Sequence, residues 1–249
     1  MCTVLFIPKD NSVYFASLRD ENPFRPKALE PNIYGSDHIQ FTAPKDAEAG
    51  GTWVGANEFN NVIILLNGGF ETHIKHTNYK KSRGLIVLEL LQTELPVIDW
   101  NLMPMADIEP FTLIVWSDNN LFHLVWDGQQ KHKYLLDASI PHIWCSATLY
   151  NPAVKEKRRQ LFENWTATNP IFSQQSILTF FRTYMDKENG FIMNRNNTLR
   201  TLSYSFLEVY KDEQITFDYF DFITHQNTKV SIKIQDTFSS FNTETNSTI

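Results

Sequence analysis

The sequence predicts a layered α+β fold in which largely antiparallel sheets are covered by helices. Two observations carry that prediction. Segments of strand character come first, then helical segments, then strands, helices and strands again, and this order suits sheets covered by helices. The chain of 249 residues shows neither an internal repeat nor a low-complexity linker, so residues 1–238 are expected to form one domain, with a polar tail over 239–249 expected to fray.

The elements follow from local pattern. Residues 2–7 (Cys-Thr-Val-Leu-Phe-Ile) and 13–18 (Val-Tyr-Phe-Ala-Ser-Leu) read as strands, and the turn chemistry of Pro8-Lys9-Asp10-Asn11-Ser12 joins them as a β-hairpin. A loop from Arg19 to Pro26 is expected next, and residues 27–50 read as polar, irregular surface. Gly50-Gly51-Thr52-Trp53-Val54-Gly55 opens another β unit, and Val62–Asn67 is apolar enough for a central strand. Ser82 can cap a helix over about Arg83–Gln92, whose apolar residues cover nearly every face and predict burial. A short second helix is expected near 98–106. Phe111–Trp116 and Leu121–Trp126 form a hairpin about Ser117-Asp118-Asn119-Asn120, and Lys133–Leu136 and His142–Thr148 read as strands. Pro152 opens a helix with Val154, Leu161, Phe162 and Trp165 on one face. Ser173 caps another, with Ile177, Leu178, Phe181, Tyr184 and Met185 facing inward. Strands over Ser203–Tyr210, Ile215–Phe220 and Lys229–Ile234 complete the pattern.

Composition narrows the function classes. The net charge is −6 with the signs interspersed, so phosphate neutralisation along nucleic acid is disfavoured. The densest basic stretch, Lys155-Glu156-Lys157-Arg158-Arg159, reads as the wet face of a helix. Only 9 glycines, with no phosphate-binding loop pattern among them, argue against a nucleotide binder. No apolar run reaches the roughly 18 residues of a membrane span, and the N-terminus lacks a signal-peptide pattern, so a cytoplasmic, reducing compartment is expected. The two cysteines, Cys2 and Cys145, do not indicate a disulfide framework. His73 and His76 stand three apart without a clear third ligand, and no metal or cofactor is implied. His142 and Cys145 would face opposite sides of a strand, and no Gly-x-Ser-x-Gly elbow is present.

The first hairpin holds the chemically suggestive constellation. A turn centred on residues 9 and 10 sets Cys2 opposite residue 17 or 18, which brings Arg19 and Asp20 beside it. Met1 precedes a small residue, the kind of junction at which initiator methionine is trimmed. Trimming would expose an α-amine with a pKa near 8, a base on the same residue as the thiol it would activate. Arg19 could stabilise a thiolate and orient an acyl group, while Asp20 could hold the α-ammonium. The same residues also read as a buried strand-edge cysteine beside a loop ion pair.

Three blocks tip the balance: Met1-Cys2-Thr3, then Leu18-Arg19-Asp20-Glu21-Asn22-Pro23-Phe24-Arg25-Pro26, then Gly50-Gly51-Thr52-Trp53-Val54-Gly55. Together they resemble the NRDE family, which includes the transport and Golgi organisation 2 proteins and is similar to N-terminal-nucleophile (Ntn) hydrolases of the penicillin V acylase and bile-salt hydrolase group. Weaker matches are Asn67 after its strand, Ser82-Arg83-Gly84, and Trp144–Tyr150. The resemblance implies a four-layer αββα sandwich. It implies Cys2 as nucleophile, Arg19 and Asp20 as the motif pair, and Asn67 as a donor to an oxyanion. A strand-end turn cap is the alternative role for Asn67. Arg200 is a candidate late arginine, and Trp53 a candidate for lining the substrate pocket. Leu18 stands in place of the motif's first Asn, and Ser146-Ala147 where relatives carry Ser-Asn. The expected ligand is a small amide or acyl compound cleaved through a Cys2 acyl-enzyme. The alternative is a hydrophobic ligand, an acyl-CoA, lipid or haem, held without turnover; Leu18, Ala147 and the high aromatic content of 14% point to it, and the resemblance adds family links to lipid or acyl-CoA metabolism and haem trafficking. The oligomeric state is left unspecified by the sequence.

Overall fold

A computed structural model of the chain describes residues 3–35, 38–76, 78–211 and 213–235. The described residues form two antiparallel sheets faced by four helices. One sheet, here the N-terminal sheet, runs β10 (His142–Cys145), β1 (Thr3–Pro8), β2 (Ser12–Glu21), β12 (Leu199–Tyr210), β13 (Gln214–Asp221), β14 (Asn227–Lys233), with the short β11 (Asn194–Arg195) paired to β12. The second runs in sequence order: β3 (Leu29–Tyr34), β4 (Phe41–Lys45), β5 (Val54–Asn57), β6 (Val62–Asn67), β7 (Phe111–Ser117), β8 (Asn120–Trp126), β9 (Lys131–Leu136).

Strand alternation assigns the layers. Val4, Phe6, Val13, Phe15, Leu207 and Val209 turn toward the second sheet, where Trp116 lies 5.9 Å from Phe6, ring to ring. Leu5, Ile7, Tyr14, Ala16 and Leu18 turn the other way, onto α3 (Pro152–Thr168) and α4 (Gln174–Thr183). On the far face of the second sheet pack α1 (Arg83–Leu91) and α2 (Pro96–Leu102), through Ile86, Val87, Leu90, Leu91 and Trp100. The result is an αββα sandwich. Ser82 caps α1 and Ser173 caps α4, as the sequence predicts.

Four expectations need correction. The region 27–50 is not irregular throughout. It supplies β3 and β4, and Phe41, Thr42 and Ala43 are buried against β5. β2 does not end at Leu18 but continues to Glu21, so Arg19 and Asp20 lie on a strand rather than in a loop, because β12 pairs them with Ser203 and Thr201. The second short helix starts at Pro96, whose fixed φ suits a first helical position, rather than near 98. On α4 the inward face is Ile177, Phe180 and Phe181; Met185 lies beyond the helix end and is exposed.

Candidate functional site

The first strand pair sets the frame. Thr3 lies opposite Leu18 on one side and opposite Cys145 on the other. Cys2 lies outside the described residues, one peptide bond before Thr3. Just past the Thr3–Leu18 pair, β2 presents Arg19 to one face and Asp20 to the other, and both are buried. Leu18, the departure from the motif, is fully buried in the apolar cluster shared with α3 and α4, so its side chain packs against the helices.

Arg19 belongs to the inter-sheet face. Its guanidinium stacks over the Trp53 ring at 4.1 Å and donates through Nη2 to Asp46 Oδ2 at 3.0 Å. Asp46 also accepts from Arg25, through Nε at 2.7 Å and Nη2 at 3.0 Å, and from the backbone N–H groups of Glu48 and Ala49. Burial pushes the Asp46 carboxyl up, but the Arg25 hydrogen bond, the Ala49 N–H and the charges of both arginines together hold it below the ordinary carboxylate range. A folded-state pKa below the unfolded one means that the stabilisation is present above the unfolded value, near 4, and is lost as pH falls through the lower folded value. Asp46→Asn should therefore lower the melting temperature at pH 7, and the gap to wild type should close in acid below about pH 4. Melting curves across pH check this; a gap that does not shrink in acid contradicts the assignment.

Arg19, Trp53 and Asp46 line a cavity of about 420 Å³ with Asn67, Arg83 and Lys75. The glycines of the 50–55 block explain how α1 reaches it. A Cβ on Gly51 would lie 2.5 Å from the carbonyl carbon of Gly84, and one on Gly84 would lie 2.8 Å from the Thr52 oxygen. Backbone approaches backbone here, so Ser82, Arg83 and Gly84 are drawn onto the cavity wall. Gly51→Ala is expected to destabilise the fold by about 1–3 kcal/mol through overpacking. Chemical denaturation measures it, and an effect within error would show that the contact can relax.

Arg83 pairs with Glu109 at 3.1 Å and donates to the Pro110 carbonyl. Glu109 also meets His73, at 3.2 Å, so that histidine has a carboxylate partner. Among the described residues no group of three or more His, Cys, Asp or Glu could hold a metal ion. Asn67 ends β6. Its carbonyl accepts from Ser146 Oγ at 2.8 Å and Ala147 N at 3.2 Å, tying the end of the second sheet to the segment after β10. Asn67 is among the residues that line the Arg19 cavity.

Asp20 turns toward the helical layer. Its Oδ2 accepts from Tyr150 Oη at 2.8 Å and its Oδ1 from Thr201 Oγ1 at 2.6 Å. Arg200 goes elsewhere. It pairs with Glu21 in register and lines a separate cavity with Met185, Met193 and His225, so the structure does not bring it to Arg19 and Asn67. Its neighbour Thr201 is the one at Asp20.

Arg158 departs from the solvated place that its run of charges suggests. Instead of lying on a wet helix face, it is fully buried. Its Nη1 donates to Thr3 Oγ1 at 2.7 Å and approaches Cys145 Sγ at 3.9 Å; its Nη2 donates to the carbonyls of Asn189, at 3.2 Å, and Gly190. The guanidinium lies 3.7 Å over the Tyr150 ring. The signal was available: position 158 is four after Val154 and four before Phe162, on the apolar stripe of α3. Trp53, the candidate for lining the substrate pocket, lines the Arg19 cavity, and Trp144 lines another, while Trp116 and Trp126 are buried in the core.

A model of the transport and Golgi organisation 2 family matches residues 1–249. The chain belongs to that family. In this member the family's αββα architecture places the motif pair on β2, with Arg19 and Asp20 on opposite faces. A sequence search of curated proteins returns no match. Solved structures with a similar fold include the Caenorhabditis elegans ortholog of N-acylethanolamine-hydrolyzing acid amidase, at TM-score 0.58 and 11% identity, covering 83% of this chain and 92% of that one. Two variants of the conjugated bile acid hydrolase from Clostridium perfringens are also similar. One has TM-score 0.57 and 10% identity, covering 92% of each chain. The other has TM-score 0.56 and 9% identity, covering 94% of this chain and 97% of that one. At these identities the likeness is one of fold. Among the described residues no helix is long and apolar enough to cross a membrane.

Proposed function

We propose that this family member is an Ntn hydrolase that cleaves a non-peptide linear amide or transfers an acyl group through a Cys2 acyl-enzyme. One observation carries the reading: β2 fixes Arg19 and Asp20 in buried sites just beyond the strand pair that holds Thr3, the residue bonded to Cys2. The α-amine of Cys2, freed by loss of Met1, takes the thiol proton, and the thiolate attacks the acyl carbon. Arg19, backed by Trp53, orients the acyl group; Asp20 holds the α-ammonium; the Asn67 amide donates to the oxyanion. Collapse of the tetrahedral oxyanion breaks the C–N bond, the α-ammonium of Cys2 gives its proton to the departing amine, and water then hydrolyses the thioester to release the acid and restore the thiol.

The cavity wall refines the substrate. Arg19, Arg25, Lys75, Lys81 and Arg83 outnumber Glu21, Asp46 and Glu109 along it, which suits a substrate whose polar end is anionic. The decisive experiment is intact mass spectrometry of the native protein, alone and after mixing with N-acyl amino acids and their neutral amides. Loss of one methionine and an acyl adduct on Cys2, stronger for the anionic compounds, is the expected result. Retained Met1 removes the base and refutes the mechanism.

A second reading, a hydrophobic-ligand carrier without turnover, is favoured by a different feature. A cavity of about 410 Å³ beside β10 is lined by Leu66, Phe70, His123, Trp144 and Ala147. Burial lowers the His123 pKa to about 4, so the ring is neutral at pH 7 and compatible with an apolar guest. Micromolar binding of an acyl-CoA or haem, undiminished in Cys2→Ala and without turnover in wild type, would select this reading.

A further inference from the structure

Resting on the hydrolase reading, we infer that Arg158 and Tyr150 are positioning residues: they clamp Thr3 and Asp20 from the helical side and so fix the attack geometry of Cys2.

The clamp has three anchored parts. Arg158 is held from the far side by the Asn189 and Gly190 carbonyls, and with Nη1 it grips Thr3 Oγ1 at 2.7 Å. Tyr150 lies beneath the same guanidinium, 3.7 Å from it, which fixes the ring. The phenol in turn donates to Asp20 Oδ2 at 2.8 Å, and Thr201 donates to Oδ1 at 2.6 Å, so neither carboxylate oxygen is free to rotate. A single buried cation thereby sets the residue that follows Cys2, and the tyrosine that sets Asp20. No other described cation is both fully buried and bonded to the first strand.

The chemistry gives this placement a purpose. A nucleophile at a chain terminus lacks a preceding residue to hold it, so its position depends on the strand that follows and on whatever binds its amine. Displacing a reacting group by about 1 Å can cost about 100-fold in rate. A guanidinium with several fixed donors holds such a joint better than a flexible ammonium does. Among the described residues, the charged and titratable groups around this joint are Arg19 and Asp20 on β2, Cys145 on β10, Tyr150 ahead of α3, Lys155 and Arg158 on α3, and Arg195 on β11, whose guanidinium lies 5.6 Å from the Tyr150 ring.

The test is alkylation of the full-length, Met1-processed protein by iodoacetamide, read separately at Cys2 and Cys145 by peptide mass spectrometry. Wild type, Tyr150→Phe, Arg158→Met and Arg158→Lys are compared from pH 6 to 9, with melting temperatures. In wild type, Cys2 should react faster than free cysteine at pH 7. Tyr150→Phe, which removes one oxygen and keeps the ring, should slow Cys2 by about 10–100-fold and move its pH midpoint upward, and Arg158→Lys should not restore the wild-type rate. The melting temperature identifies an unfolded variant, and Tyr150→Phe, which leaves the contact between Arg158 and Cys145 in place, then decides. Wild-type Cys2 rates and midpoints in folded Tyr150→Phe and Arg158→Met overturn the inference and leave the hydrolase reading standing. A wild-type Cys2 no faster than free cysteine overturns both.

Discussion

Cys2→Ala is expected to lower turnover of any amide or acyl substrate by about 10³-fold or more, with the fold and substrate binding retained. The substitution removes the thiol and keeps the α-amine, so it separates the nucleophile from the base. The residual rate should reflect what Arg19 and Asn67 do on their own by holding a substrate in the cavity they share. The acyl adduct in the intact mass should vanish together with turnover. Melting temperature should barely change, since the first described residue of the sheet, Thr3, is held by Leu18, Cys145 and Arg158 independently of the Cys2 side chain. Turnover that survives in Cys2→Ala eliminates the nucleophile assignment and transfers any activity to another group.

The second large effect is on stability. Phe181→Ala should destabilise the fold by about 3–5 kcal/mol, the usual cost of emptying a buried phenylalanine site. Phe181 is fully buried where α4 meets the N-terminal sheet, with ring centroids 5.9 Å from Phe180, 5.6 Å from Phe191 and 6.0 Å from Tyr204. In a chain of this size that corresponds to a fall in melting temperature of roughly 6–20 °C. The effect should reach the site as well. Phe191 follows the Asn189 and Gly190 carbonyls that hold Arg158, so loosening Phe191 loosens the support of Thr3. Thermal melts measure the first consequence, and alkylation of Cys2 in the still-folded variant measures the second. A loss below about 1 kcal/mol would show that the helical layer closes over the gap.

Much of this molecule is set by patterns that need no tertiary information. Ser82 and Ser173 announce their helices because a side-chain oxygen before an apolar run satisfies the first free N–H groups. Val62–Asn67 announces a central strand because only burial on both faces explains six nearly apolar residues. The Arg19-Asp20 pair and the Gly50-Gly51 block are legible as a family signature, and the hairpin ties the first of them to the N-terminal strand.

The partners of these residues were decided by the third dimension. Nothing local makes residues 41–43 a strand; their burial exists because β5 offers hydrogen bonds across a fold of the chain. Arg19 and Asp20 are adjacent in sequence yet serve different layers, since successive strand residues point to opposite faces and β12 extends β2 past Leu18. Asp46, Thr201 and Tyr150 are 26, 181 and 130 residues from Asp20, so no spacing rule could have joined them to the motif. Arg158 shows the principle most clearly: in a run of charges it reads as solvated, and only the carbonyls of residues 189 and 190, brought over it by packing of the helical layer, make a buried guanidinium affordable. The chain's local chemistry thus determined the layers and the motif pair, while long-range hydrogen bonds and burial determined which charges are held fixed around them.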